Sequence, residues 1–252
     1  MASVERVRKR TKVVVAVVVV LVAAVGAGAW WYLRDDAPAE VSLDAATEGL
    51  EGTTTTGDAG DDEGEPAGIE GTWRVDTESG DFDFESATGT FAGFRIEEQL
   101  SSIGATTAVG RTGDVTGTME IEGTTVTAAR FEVDLSTITT NEGRRDRRVQ
   151  EALETGTFPI ATFELIEPID LGDRAAAGEV LAVVAVGELT IHGVTRPTEF
   201  ALEARLVDET VAVVGSTEVT FSDFGVEVPS APIVLSVEDH GILELQLLLV
   251  RG

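Results

Sequence analysis

Cysteine is absent from this 252-residue chain, and lysine occurs only at Lys9 and Lys12. Without cysteine the protein has no disulfide, no thiol nucleophile and no Cys-ligated metal, so its fold must rest on a hydrophobic core. The chain carries 45 acidic and 18 basic residues, a formal net charge of −27. Such a surface repels nucleic acid, and we therefore expect no nucleic-acid partner.

Histidine is scarce and the common catalytic motifs are missing. The two histidines, His192 and His240, have no H-x-x-x-H spacing for zinc, and no G-x-S-x-G elbow is present. His192 lies at a predicted strand end before Gly193, where it either bonds backbone in a turn or faces a ligand. We predict no enzymatic activity, no cofactor and no metal site.

The first 33 residues have the composition of an export segment. A basic tip, residues 1–12, precedes 21 uncharged residues, Val13–Leu33. As a helix this run is about 32 Å long, which is enough to cross a bilayer. We predict a single-pass cell-membrane anchor with a cytoplasmic N-terminus and an extracytoplasmic C-terminal domain. The alternative is a signal peptide cleaved near Ala27–Ala29, which also exports the rest.

Residues 34–70 contain twelve acidic residues and one base, Arg34. This composition buries too little apolar surface to fold alone, so we predict an acidic disordered linker. Residues 71–252 are long enough for one domain with a substantial core.

Apolar residues in this domain recur with a period of two, which predicts strands. Phe131, Val133 and Leu135 share one face of a run whose other face is charged. The segment Val180–Ile191 is apolar on both faces, which predicts a strand covered on both sides. One short helix is predicted near residues 145–154. The pattern therefore favours an all-β fold, a closed antiparallel barrel or a sandwich.

Four arginines cluster at the start of the predicted helix: Arg144, Arg145, Arg147 and Arg148. Positive charge at a helix N-terminus opposes the macrodipole, so local helix stability does not explain the cluster. Two alternatives remain open. Neighbouring acids and solvent neutralise the arginines, or they contact a phosphate or lipid headgroup.

Four runs of the domain match a known pattern in order. They are TWRVDTESG (72–80), LSTITTNEGRRDRRVQEALETGTFPIATFEL (135–165), GELTIHGVTRP (187–197) and FSDFGV (221–226). Together they resemble the YceI-like family of polyisoprenoid-binding, lipocalin-like proteins. The resemblance implies an up-and-down antiparallel barrel of about eight strands, whose interior holds an isoprenoid lipid such as a quinone or a polyprenyl phosphate.

The resemblance and the strand pattern together predict the site. Expected ligand-binding residues, all on inward faces, are Phe94, Met119, Ile121, Phe131, Val133, Phe163, Leu165, Leu189, Phe200 and Leu202. Possible headgroup contacts are Arg144, Arg145, Arg148 and His192. The predicted function is a membrane-anchored lipid-binding protein for storage, transfer or presentation. The alternative is a cell-surface protein-interaction module with a filled barrel and no lipid.

Overall fold

Period-two runs after residue 70 form the strands of the fold. The computed structural model describes residues 37–51, 68–80, 82–85, 88–100, 104–227 and 234–252, all within one unit, Ala37–Gly252. These residues form two α-helices, α1 (Leu43–Glu51) and α2 (Gly143–Ala152), and three 3₁₀ turns, Leu135–Thr137, Ala175–Ala177 and Phe221–Phe224. The strands are β1 (Gly71–Asp76), β2 (Phe91–Leu100), β3 (Gly104–Thr112), β4 (Val115–Glu122), β5 (Thr125–Asp134), β6 (Thr139–Thr140), β7 (Ile160–Leu165), β8 (Ile169–Asp170), β9 (Leu181–Ile191), β10 (Val194–Val207), β11 (Thr210–Thr220), β12 (Val234–Val237) and β13 (His240–Arg251).

Eight of these strands close into an antiparallel barrel. Hydrogen-bonded neighbours run in the order β1, β4, β5, β7, β9, β10, β11 and β13, and β13 pairs back onto β1. The closing pair is in register at Val75 and Leu249. An eight-stranded barrel is the size that either fills with side chains or encloses one small ligand. This agrees with the predicted eight-stranded all-β barrel.

A hairpin extends the wall beside the barrel. β2 and β3 pair with each other, and β2 also pairs with the first half of β13 in register at Phe94 and Leu243. β6 pairs with β3, β12 with β2, and β8 with β5. Helix α2 packs against the hairpin through Val149, which contacts the cluster of Phe94 and Ile138. The predicted helix is therefore present, two residues earlier than expected.

The predicted disordered linker, residues 34–70, is wrong over residues 37–51, which are ordered and include helix α1. Helix α1 packs Leu43 and Ala46 onto the outer face of the barrel, against Ala212, Val214 and Leu248. Leucine and alanine spaced three residues apart give α1 one apolar stripe, which average composition hid. We call residues 37–51 the strap. Residues 34–36 and 52–67 of the predicted linker lie outside the described part.

The predicted fold also included a transmembrane helix, and that part is corrected. The described helices α1 and α2 have nine and ten residues, and neither has the length or hydrophobicity for a membrane crossing. About 20 apolar residues are needed for a helix to span a bilayer. The proposed span, Val13–Leu33, lies outside the described residues.

The expectation that β9 is covered on both sides is also wrong. Its inward residues Leu181, Ala185 and Leu189 are buried, whereas Val184 on the outer face is 53% exposed. Strand β9 has barrel neighbours on its edges, but its outer face meets solvent at Val184.

Candidate functional site

The barrel encloses an apolar cavity of about 230 Å³. Inward side chains of seven of the eight barrel strands line it, together with Ile69 just before β1 and residues of the β2–β3 hairpin. Alternation along each strand explains this, since every second side chain points to the same face of a sheet. The cavity walls include members of both large hydrophobic clusters, so the cavity follows the barrel from one end to the other.

The structure brings all ten predicted ligand-binding residues to this cavity. Its lining includes Phe94, Met119, Ile121, Phe131, Val133, Phe163, Leu165, Leu189, Phe200 and Leu202. Phe163 and Phe200 meet edge to face, with ring centroids 5.3 Å apart. Position alone does not test binding, so the role of these residues in holding a ligand stays a prediction.

Large side chains of the cavity wall lie over glycines of neighbouring strands. A methyl group at Gly187 would lie 2.3 Å from Phe163 Cζ, and one at Gly110 would lie 2.4 Å from Phe94 Cε1. Phe131 covers Gly117 and Leu202 covers Gly215 in the same way. Each large group therefore rests against the wall instead of reaching across the lumen. Sequence analysis missed these glycines because the pairing depends on strand register.

The cavity has a helix end and a turn end. We define the helix end by α2, the β9–β10 turn and the 3₁₀ turn Phe221–Phe224, and the turn end by the β4–β5 turn and the segment 171–180. At the turn end, Leu171 N donates to Thr124 O at 2.9 Å, which ties these two elements together. Lining residues at the helix end are apolar, among them Leu153, Phe221 and Phe224.

The four predicted headgroup residues do not line the cavity. Arg144 and Arg148 are exposed on α2. Arg145 donates from Nη2 to Glu98 Oε2 at 2.7 Å and from Nη1 to Asn141 Oδ1 at 2.7 Å. Arg145 thus attaches α2 to β2. Of the two alternatives for the arginine cluster, neutralisation by an acid therefore applies to Arg145, and the acid is Glu98 of β2.

His192 occupies the β9–β10 turn with a positive φ of 53°. Its Nδ1 lies 3.3 Å from Phe224 O, and its ring meets Phe158 edge to face at 4.9 Å. Its Nε2 is shielded from solvent and lies 3.7 Å from Glu154 Oε1. Of the two alternatives for His192, a turn residue that bonds backbone is therefore closer to the structure than a residue that faces a ligand. The backbone partner is Phe224, outside the β9–β10 turn.

A buried charge network lies on the outer side of β13, and sequence analysis missed it. Glu244 is 3% exposed and accepts from Arg95 Nε at 2.8 Å and Arg111 Nε at 2.9 Å. The two guanidinium groups also converge on Ala39 O in the strap, at 2.5 Å and 2.7 Å. Buried charges are tolerated when they are paired and hydrogen-bonded. The strap therefore completes this network.

Comparisons with known proteins agree with this geometry. The family model described as a YceI-like domain matches residues 73–248. A UPF0312 protein of Shewanella denitrificans is 28% identical over 161 residues, covering 59% of this chain and 80% of the relative. A UPF0312 protein of Shewanella baltica is 30% identical over the same length and coverage.

Two solved structures share the fold. A polyisoprenoid binding domain from Saccharophagus degradans, implicated in plant cell wall breakdown, superposes with a TM-score of 0.54 at 19% identity, covering 71% of this chain and 98% of that chain. BcnA of Burkholderia cenocepacia superposes with a TM-score of 0.51 at 15% identity, covering 69% and 98%. Both matches support the barrel architecture. The strap precedes the residues that the family model matches.

Proposed function

Because this chain belongs to the YceI-like family and its barrel encloses an apolar cavity, we propose that it is a non-catalytic binding protein for a polyisoprenoid lipid. The observation that carries the proposal is the apolar lining, which extends from Leu153 at the helix end to Ala175 at the turn end. A prenyl tail offers only apolar surface, so such a lining fits it. The similar domain from Saccharophagus degradans supports this ligand class.

Shape and headgroup contacts would decide the affinity. Burial of a tail from water stabilises by about 0.8 kcal/mol per CH₂. A polyisoprenoid leaves a bilayer instead of water, so most of that gain is absent. The protein would therefore serve storage, transfer or presentation, with the affinity set by how the cavity fits the tail.

The alternative function, a protein-interaction module, requires a barrel filled by its own side chains. A cavity of about 230 Å³ favours the lipid function over this alternative. The glycines beneath Phe94, Phe131 and Phe163 favour it too, because they keep the rings against the wall.

Adjacent valines on β9 provide a matched test. Val183 lines the cavity and Val184 is exposed on the outer face. Native mass spectrometry of the protein purified from its own cells, followed by lipid extraction, should recover a prenyl lipid. Val183→Trp fills the cavity and should lower the recovered lipid several-fold, whereas Val184→Trp should retain it.

Replacing Phe131 and Phe163 by charged residues gives a second, independent test of lipid binding in the cavity. A folded Phe131→Asp/Phe163→Asp variant should carry no lipid, because a carboxylate is costly in an apolar cavity. Absence of lipid from every wild-type preparation, or full lipid content in folded Val183→Trp, would show that the cavity is not the binding site.

Export of the barrel domain stays a prediction from the basic and apolar composition of residues 1–33. We propose that the domain works outside the cytoplasm, where it can meet membrane lipids. Protease added to intact cells, after removal of any outer permeability barrier, should digest the domain. Protection equal to that of a cytoplasmic marker would contradict this location.

A further inference from the structure

The two ends of the cavity differ in polarity. At the helix end, Leu135, Phe221 and Val226 are buried members of one hydrophobic cluster, and Leu153 packs against it. The exposed arginines of α2 lie outside the lining. A ligand inside the barrel therefore meets an apolar floor at this end.

The turn end carries charged groups at the rim. Among the described residues that line the cavity, the ionisable ones are Glu179, Arg205 and Glu244. The carboxylate of Glu244 belongs to the buried network on the outer side of β13, where Arg95 and Arg111 hold it. Glu179 and Arg205 belong to the turn end, where Arg205 Nε donates to Gly178 O at 3.3 Å.

The position of Arg205 is that of a rim residue. Its neighbours Ala204 and Leu206 line the barrel interior, so alternation directs Arg205 to the outer side of β10. The bond to Gly178 O keeps its half-buried side chain against the segment 171–180, beside Ala175 of the cavity lining. Arg205 and Glu179 are therefore the charged lining residues at the turn end.

From this asymmetry, and on the basis of the proposed function, we infer that the lipid enters tail first. Its headgroup then lies at the turn end beside Arg205 and Glu179, not at the arginines of α2. A prenyl tail is stabilised along the apolar walls, and the polar head is best placed where polar groups and water are available.

The surrounding charges select the class of headgroup. The side chain of Glu179 is 54% exposed, and Nη1 of the exposed Arg174 lies 3.8 Å from its Oε2. Asp208 and Glu209 in the β10–β11 turn add exposed acids at the same end. A phosphate would be repelled by this acidic rim, whereas the carbonyl of a neutral quinone can accept from a guanidinium. We therefore assign a neutral, hydrogen-bond-accepting head.

Two probes with equal tails test the assignment on the full chain: menaquinone with four prenyl units and geranylgeranyl phosphate. Dissociation constants are measured for the wild type, Arg205→Gln, Arg205→Lys and a control, Arg144→Gln/Arg148→Gln. Loss of a hydrogen bond from a charged donor should weaken menaquinone binding about tenfold in Arg205→Gln. Arg205→Lys should recover part of this loss, and the α2 control should match the wild type.

A photoreactive azidoquinone with a prenyl tail gives the position of the head directly. Labelled peptides should come from segments 171–180 or 204–209. Labelling of 149–158 or 221–226, unchanged menaquinone binding in Arg205→Gln, a loss confined to the α2 control, or tighter binding of geranylgeranyl phosphate would overturn the assignment. Failure of both probes to bind the wild type would instead contradict the proposed function.

Discussion

At the scale of single residues, the carboxylate of Glu244 is a buried charge with two cationic partners. Its side chain is 1% exposed and lies between the guanidinium groups of Arg95 and Arg111. Glu244→Gln would leave two buried cations without their anion, and breaking a buried pair in this way costs about 3 to 5 kcal/mol. We expect that loss in the free energy of unfolding, measured by urea titration.

The matched control for this prediction is Glu164→Gln. Glu164 pairs with Arg130 at 2.9 Å, but both side chains are more than half exposed. Exposed pairs contribute little to stability. An equal effect of the two substitutions would mean that the Glu244 network is not a buried charge centre.

Asp76, at the end of β1, gives a prediction about pH. Burial raises the pKa of its carboxyl, but hydrogen bonds from the Ser79 side chain and from the Glu78 and Ser79 backbone, together with Arg74, outweigh burial and lower the pKa. The resulting stabilisation is complete above the unfolded-state pKa, about 3.9, and is lost as the pH falls through the lower folded-state pKa.

Asp76→Asn should therefore reduce the free energy of unfolding at pH 7, with the difference from wild type shrinking below about pH 4. Urea titrations at a series of pH values measure this difference. The exposed Asp173→Asn serves as control. A difference that stays constant down to pH 2 would mean that the charge of Asp76 contributes nothing to the stability.

At the scale of elements, the strap shows what average composition conceals. The strands were predictable because their apolar period is two, and α2 because helix formers surround Val149. The strap was missed because six acids, four of them in the strap itself, dominate the composition of residues 34–51. Its apolar stripe becomes meaningful only beside Ala212 and Leu248, which are distant in sequence.

Helix α1 should contribute measurably to the stability of the barrel. Leu43 is 6% exposed and packs on the outer face of β11 and β13. Leu43→Ala should lower the free energy of unfolding by about 2 kcal/mol, the lower end for such truncations. Glu48→Ala on the exposed face of α1 is the control. Unchanged stability in Leu43→Ala would mean that the strap does not pack in solution.

At the scale of the whole molecule, barrel and cavity were predictable to different degrees. The barrel followed from the resemblance of residues 72–252 to a family, and the ten wall residues followed from alternation within strands. The sequence did not predict that the lumen is open. That property depends on the register between neighbouring strands, which places Phe163 over Gly187 and Phe131 over Gly117. The predicted headgroup residues do not line the cavity, and helix α2 exposes Arg144 and Arg148. Their contact with a headgroup stays a prediction.

The acidity of the molecule predicts that salt will stabilise it. With a formal net charge of −27, the folded state repels itself, and facing acids such as Glu164 and Glu188 on neighbouring strands add local repulsion. The screening length falls from about 30 Å at 0.01 M salt to 3 Å at 1 M. The melting temperature should rise by several degrees over this range of sodium chloride, each kcal/mol corresponding to about 2 to 4 °C.

A Glu164→Gln/Glu188→Gln variant separates charge screening from a general effect of salt on hydrophobic burial. It should melt higher than the wild type at 0.01 M, because two facing charges are gone while Arg130, which loses Glu164, keeps Glu132 as a partner. The gap should close at 1 M. Buried pairs such as that of Glu244 are screened far less, so they should not reverse the trend. A melting temperature that is flat or falling with salt would show that surface repulsion does not limit the stability of this barrel.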